Sequence, residues 1–255
     1  MEEIYLICED SLEGIFSGVY EAYLLKKSHD QIHLCVGGED NYRLFATYTE
    51  CPADDGKAAK VARTVVREFG EETYLALCRA MASTEPDKAE AVYKTIVVGF
   101  AMKNRRQLMG NLANKYVHRV FELARFTANE AHAHVEFIRF SELENKILYS
   151  KIGPQNNIIT FVMPHFADRL PLENFVIYDE TRNIYAIHPA KGDWYLYCGE
   201  MGEIGEMPFS EGEEKYSELF CHFFHSIAIK ERRNTALQRN MLPIRYRKYM
   251  TEFSH

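Results

Sequence analysis

The chain has 255 residues, 47% of them hydrophobic, enough for one large domain or two small ones with a substantial core. No apolar run approaches the ~20 residues of a membrane-spanning helix, and the opening Met-Glu-Glu-Ile-Tyr is acidic where a secretory signal would be basic, so a cytoplasmic protein off the membrane is expected. The net charge of -7 does not by itself mark a nucleic-acid binder, and six cysteines at 8, 35, 51, 78, 198 and 221, without a Cys-x-x-Cys, argue for reduced thiols and against a zinc ribbon or a local iron–sulfur motif.

In chain order, Ile4-Tyr-Leu-Ile-Cys8 reads as a first strand. Asp10 or Ser11 is placed to cap a helix through Leu12, Ile15, Phe16, Val19, Tyr20 and Tyr23. Gly14 and Gly18 lower its propensity and suit close packing better than a ligand's approach. Ile32 to Cys35 is the next strand, stopped at Gly37-Gly38, and Tyr42 to Thr49 extends an edge. Asp54-Asp55-Gly56 opens a long helical phase in which Val61, Val65 and Phe69 share one face and Tyr74, Cys78 and Met81 another. Thr84-Glu85-Pro86 opens the next helix, with Val92, Tyr93, Ile96, Val97 and Phe100 inward. After a connection over 104–111, a helix runs from about Leu112 to Ala133. Residues 55–133 therefore read as a helical subdomain.

From Val135 the hydrophobic period changes from 3.6 to two, which places the main sheet in residues 135–197. Glu136 to Phe140 alternates, and Ile147 to Tyr149 follows a polar turn. Residues 158–170 are helical, kinked or started late at Pro164, with Ile158, Phe161, Val162, His165, Phe166 and Arg169 on one face. Phe175–Tyr178 and Ile184–Ile187 flank a polar turn and predict a hairpin, and Trp194–Tyr197 a third strand. A polar loop over 199–213 precedes a last helix from Glu214 to Glu231, its buried side given to Tyr216, Leu219, Phe220, Phe223, Phe224 and Ile227. The expected fold is α+β: one domain over 1–255, with a small antiparallel sheet packed against helices.

Charge is unevenly spread. Residues 1–52 carry only Lys26, Lys27 and Arg43 as cations, the helical middle is mildly basic, and 200–218 is acidic. The tail carries Lys230, Arg232, Arg233, Arg239, Arg245, Arg247 and Lys248 against Glu231 and Glu252, with Tyr246 and Tyr249 interleaved. Such a tail suits a phosphate backbone with stacked bases, the acidic surface of a partner, or this chain's own acidic N-terminal segment. The alternative is an ordinary solvated face.

Four histidines are candidate metal ligands. His132 and His134 diverge on a helix, and His222 and His225 share a side but lack a visible third ligand, so no metal site is expected. His165 and Arg169 are suited to hold a phosphate or carboxylate together, with Arg139 and Arg182 near them if the hairpin packs on that helix. The competing reading pairs the arginine with Asp179, Glu136 or another carboxylate. No phosphate-binding glycine loop, dinucleotide fingerprint or nucleophile elbow occurs, so no cofactor is called for.

Several stretches carry a family likeness: Ser11-Leu-Glu-Gly14, Val19-Tyr-Glu-Ala-Tyr23, Phe137-Ile-Arg-Phe140, Met163-Pro-His-Phe-Ala-Asp-Arg169, Ile177-Tyr-Asp-Glu-Thr-Arg182, and Arg232-Arg-Asn234 with Met241-Leu-Pro-Ile-Arg-Tyr-Arg-Lys248. On these the chain resembles, over nearly its whole length, the DUF4130 family of DNA metabolism or repair proteins. Members are typically encoded beside a radical S-adenosylmethionine protein, and some are fused to a uracil-DNA-glycosylase-like domain. The family's usual lysine is replaced here by Ile244. The resemblance implies an accessory role in DNA repair or modification, with DNA or the radical enzyme as partner and Arg232, Arg233, Arg239, Arg245, Tyr246, Arg247 and Lys248 as contacts. The alternative is an enzyme acting on a nucleotide or damaged base, with His165 as acid or base and Arg169 as clamp.

Overall fold

Two compact units, Met1–Asn129 and Glu130–His255, divide the chain. A computed structural model describes residues 3–37, 44–199, 208–227 and 234–253.

In the first unit, β1 (Glu3–Cys8) lies between β2 (Ile32–Val36) and β3 (Ala46–Cys51), and both pairings are parallel. Parallel neighbours need a crossover. α1 (Leu12–Leu24) supplies it between β1 and β2, and starts where the Ser11 hydroxyl accepts from the Gly14 amide at 2.9 Å. Both glycines of α1 are packing glycines: a Cβ on Gly14 would strike Glu9, and one on Gly18 would strike Cys8.

Four helices complete this core: α2 (Asp55–Phe69), α3 (Glu71–Met81), α4 (Lys88–Ala101) and α5 (Lys115–Phe137). Asp54 caps α2 through the Lys57 amide at 2.9 Å. Gly70, at φ 94°, ends α2 and turns the chain into α3. That left-handed residue explains why the apolar face changes after Phe69. Val65, Phe69, Leu77, Val92, Tyr93, Ile96, Val117, Val120 and Leu123 bury into one cluster with Ile4, Leu6, Phe16 and Ile32. The helical stretch thus shares its core with the first sheet. The scattered cysteines also meet here: Cys8 and Cys51 are register partners across β1 and β3, and the Cys51 thiol contact, then burial, pushes Cys8 up.

In the second unit, β4 (Ser141–Glu142), β5 (Leu148–Ile152), β6 (Phe175–Asp179), β7 (Ile184–His188) and β8 (Tyr195–Cys198) form one sheet in that order. The expected hairpin is present: Tyr178 pairs with Tyr185, and their rings stack at 4.3 Å. Asn183 takes the left-handed conformation in the turn (φ 55°), which asparagine tolerates. The sheet is mixed and not purely antiparallel, because β5 and β6 are parallel and joined through α6 (Ile159–Arg169). The stretch Glu136–Phe140 is not a strand: α5 continues to Phe137, and β4 begins only at Ser141. Its alternation is too short to overrule a helix already propagating.

α6 buries Ile159, Val162, Met163 and Phe166 on Ile152, Phe175 and Ile177. His165 and Arg169 are exposed, so the helix is rotated relative to the expected face. Pro164 sits inside α6 on the exposed side.

The remaining helices are α7 (Glu211–Ser226), α8 (Thr235–Met241) and α9 (Ile244–Arg247). α7 turns Cys221 inward, where its thiol meets the Thr251 carbonyl at 3.5 Å, and Phe224 packs on Phe253 at 5.6 Å. Of the residues expected to be buried on this helix, Tyr216, Leu219, Phe220, Phe223 and Ile227 are exposed instead. Only a narrow stripe of α7 meets the Thr251–Phe253 turn, which is too short to cover both sides of a helix.

Candidate functional site

Two of the predicted arginines, Arg139 and Arg182, meet buried carboxylates. Asp179, at the end of β6, is wholly buried and accepts from the Thr181 amide at 2.9 Å and from Arg182 Nη1 at 3.2 Å. Burial raises the Asp179 carboxyl above its ordinary value, and the Arg182 guanidinium opposes that. Arg182 also donates to the Pro154 carbonyl at 3.2 Å and to the Gln155 carbonyl. Glu130, buried near the end of α5, holds the same loop by its amides: it accepts from Gln155 N at 2.9 Å, Asn156 N at 2.8 Å and Asn156 Nδ2 at 2.7 Å. The loop leading into α6 is therefore gripped by carboxylate on its donors and by guanidinium on its acceptors.

The basic tail fastens onto this clamp. Arg245 donates to Gln155 Oε1 at 2.5 Å and to the Tyr246 hydroxyl at 2.9 Å, and lies 3.7 Å from Glu130. The Tyr246 ring is buried against His134 at 4.9 Å and Phe137 at 5.3 Å. Burial lowers the His134 imidazole below its usual value. Arg247 donates to the Leu242 carbonyl at 3.1 Å and stands over Phe253. Lys248 and the Tyr249 hydroxyl both donate to Glu180 Oε1, Lys248 at 2.6 Å, and Lys151 holds Oε2 at 2.7 Å. Burial pushes Glu180 up, but those three donors outweigh it and bring its pKa down to about 2. Gly153 lies under Tyr249, where a Cβ would overlap the phenol ring.

Arg139 pairs with buried Glu252 at 3.0 Å and with the carbonyls of Glu136 and Ile138. His165 and Arg169 lie one turn apart on the outer side of α6, where Arg169 has no partner among the described residues. A shared anion there would sit at the surface. Arg239 is exposed on α8, also without a partner among the described residues. Arg232 and Arg233 lie outside the described residues. Among the described residues no group of three or more His, Cys, Asp or Glu side chains is placed to hold a metal ion.

Of the tail's cations, Arg245 and Lys248 thus face carboxylates of their own unit, Glu130 and Glu180. The DUF4130 description, a domain of unknown function, matches residues 86–252. The chain belongs to the DUF4130 family. The match takes in the loop clamp, α6 and the tail through Glu252, while the Ser11–Gly14 and Val19–Tyr23 stretches lie outside it. No curated protein matches the chain.

Sequence reading missed Glu130, Gln155, Asn156, Lys151 and Glu180. One local signal was readable: Asp179 and Arg182 are three apart across a turn, close enough to pair. If Glu180 anchors the tail, Glu180→Gln should loosen Ile244–Met250. Amide exchange there is expected to quicken several-fold, with a stability loss of only about 1 kcal/mol because the lysines are solvent-screened. As a carboxyl with a lowered pKa, Glu180 contributes stability above its unfolded value of 4.5 that disappears as pH falls towards about 2. The variant should lose that acid dependence, and an unchanged acid limb would contradict the anchoring role.

Proposed function

We propose that this DUF4130 protein is an accessory component in DNA repair or modification that binds a radical S-adenosylmethionine protein, and is not an independent catalyst. The observation that carries this reading is the outward face of α7. Tyr216, Leu219, Phe220, Phe223 and Ile227 follow helical spacing and are 40–70% exposed. Contiguous exposed apolar surface of this kind is typical of a protein interface, and aromatic residues are its usual anchors. The first turn of α7 carries Glu211, Glu213 and Glu214, a polar rim at one end of the stripe. The radical enzyme is named because the family resemblance implies it.

The tail supports a protein-facing role more than direct base reading. Arg245 and Lys248 retain exposure, but each already meets a carboxylate, so a phosphate would have to compete for it. The test is co-elution of the purified chain with a radical S-adenosylmethionine protein of the kind the family resemblance implies. The wild type should co-elute. Phe223→Glu should abolish co-elution while leaving thermal unfolding within about 0.5 kcal/mol of wild type, since it alters an exposed side chain. A wild type that never associates, or a variant that associates equally well, contradicts the reading.

A further inference from the structure

The first unit holds an open groove of about 1080 Å³ between α3, α5 and the Arg105–Gly110 turn. Its opening follows from small residues at helical spacing. α3 presents Glu72, Ala76 and Arg79 to it, and α5 presents Phe121, Ala124, Arg125 and Ala128. The three alanines keep the two helix faces from filling the space between them.

The groove is positive in an acidic chain. Arg79, Arg106 and Arg125 line it against Glu72 alone, so three cations less one anion leave a formal +2. None of the three guanidinium groups meets a carboxylate among the described residues. Arg106 donates to the Arg67 carbonyl at 3.2 Å, and Arg125 stands 5.9 Å from the Phe121 ring and 5.8 Å from that of Phe126. By contrast, Arg119 on the same helix meets Asp87 and Glu85 at 2.8 Å, and Arg105 meets Glu68. Both phenyl rings beside Arg125 are open to solvent, Phe121 at 39% and Phe126 at 55%.

We infer that this groove binds a segment of single-stranded nucleic acid, with Arg79, Arg106 and Arg125 on its phosphates and Phe121 stacked against a base. Guanidinium forks match phosphate oxygens, and exposed aromatic faces take unpaired bases of any sequence. The volume exceeds the usual range for a small-molecule pocket and suits a few nucleotides of an open strand. Duplex DNA fits less well, because its bases are already stacked. The site deepens the DNA-linked reading above and rests on it, but it lies in a different unit from α7 and the tail.

The test is a salt titration of a fluorescent oligothymidylate of about 12 nucleotides, using the full chain, Arg79→Gln, Arg125→Ala and Phe121→Ala. Each lost arginine should lower the log–log salt slope by roughly 0.7. Phe121→Ala should weaken binding roughly tenfold with an unchanged slope. Arg125 and Phe121 are exposed, so those variants should melt with the wild type. If the oligonucleotide binds but slopes and affinities are unchanged, the groove assignment is overturned and the DNA-linked reading stands. A wild type that co-elutes with the radical enzyme yet binds no single strand at low salt overturns the groove alone. Failure of both co-elution and DNA binding removes the wider reading as well. A duplex bound as tightly as the single strand, and insensitive to Phe121→Ala, overturns the single-strand assignment.

Discussion

Glu130→Ala should destabilise the second unit by about 3–5 kcal/mol, the cost of removing one member of a buried charged network. Glu130 is 4% exposed and takes three N–H groups from Gln155 and Asn156. Without it the donors of exposed Gln155 and half-buried Asn156 must turn to water, and any left unsatisfied costs about 1–3 kcal/mol. The loop then loses its hold just before α6, which forms much of the apolar cover of the sheet. Glu130→Gln should fall between the wild type and alanine, since the amide retains one acceptor. Urea unfolding followed by hydrogen exchange over residues 152–169 reads the effect. The chain has two units, so a single midpoint for the whole chain is the wrong observable. A Glu130→Ala protein with wild-type exchange in that segment would mean that the clamp does not hold the loop.

Arg182→Met is expected to cost a similar 3–5 kcal/mol at neutral pH. Asp179 is 0% exposed and loses the Arg182 guanidinium, while the carbonyls of Pro154 and Gln155 lose a donor. The effect should depend on pH in a defined direction. Asp179 already has a raised pKa, from burial first. A carboxyl raised on folding favours the native state below its unfolded value, and that advantage is lost as pH rises towards the folded value. Removing Arg182 raises the folded value further. The variant's deficit should therefore shrink as pH falls towards 3.8, the ordinary aspartate value. Unfolding free energies measured across that range check the sign. A deficit that grows on acidification would show that Asp179 is not the group left unpaired.

The hairpin, most helices and a cap at Asp10 or Ser11 were legible because they rest on local spacing and capping chemistry. The parallel pairing of β5 with β6 was not, since strand direction depends on where a crossover helix lands. The exposed side of α7 was misread for an instructive reason. Helical spacing of Tyr216, Phe220 and Phe223 identifies an apolar face, but it cannot distinguish a face buried in the same chain from one reserved for another. Arg245 and Lys248 show the same limit for charge. A basic run in sequence looks available, yet its partners, Glu130 and Glu180, lie far away along the chain. The Arg79, Arg106 and Arg125 groove is invisible to motif reading because three separate elements contribute one cation each.

The most direct test of the proposed role is hydrogen exchange on the chain with and without a radical S-adenosylmethionine protein of the kind proposed as its partner. Partner binding through α7 predicts strong added protection over Glu211–Ser226 and none in the Phe223→Glu variant at the same concentrations. No added protection in the wild type, or protection confined to segments other than α7, would contradict it.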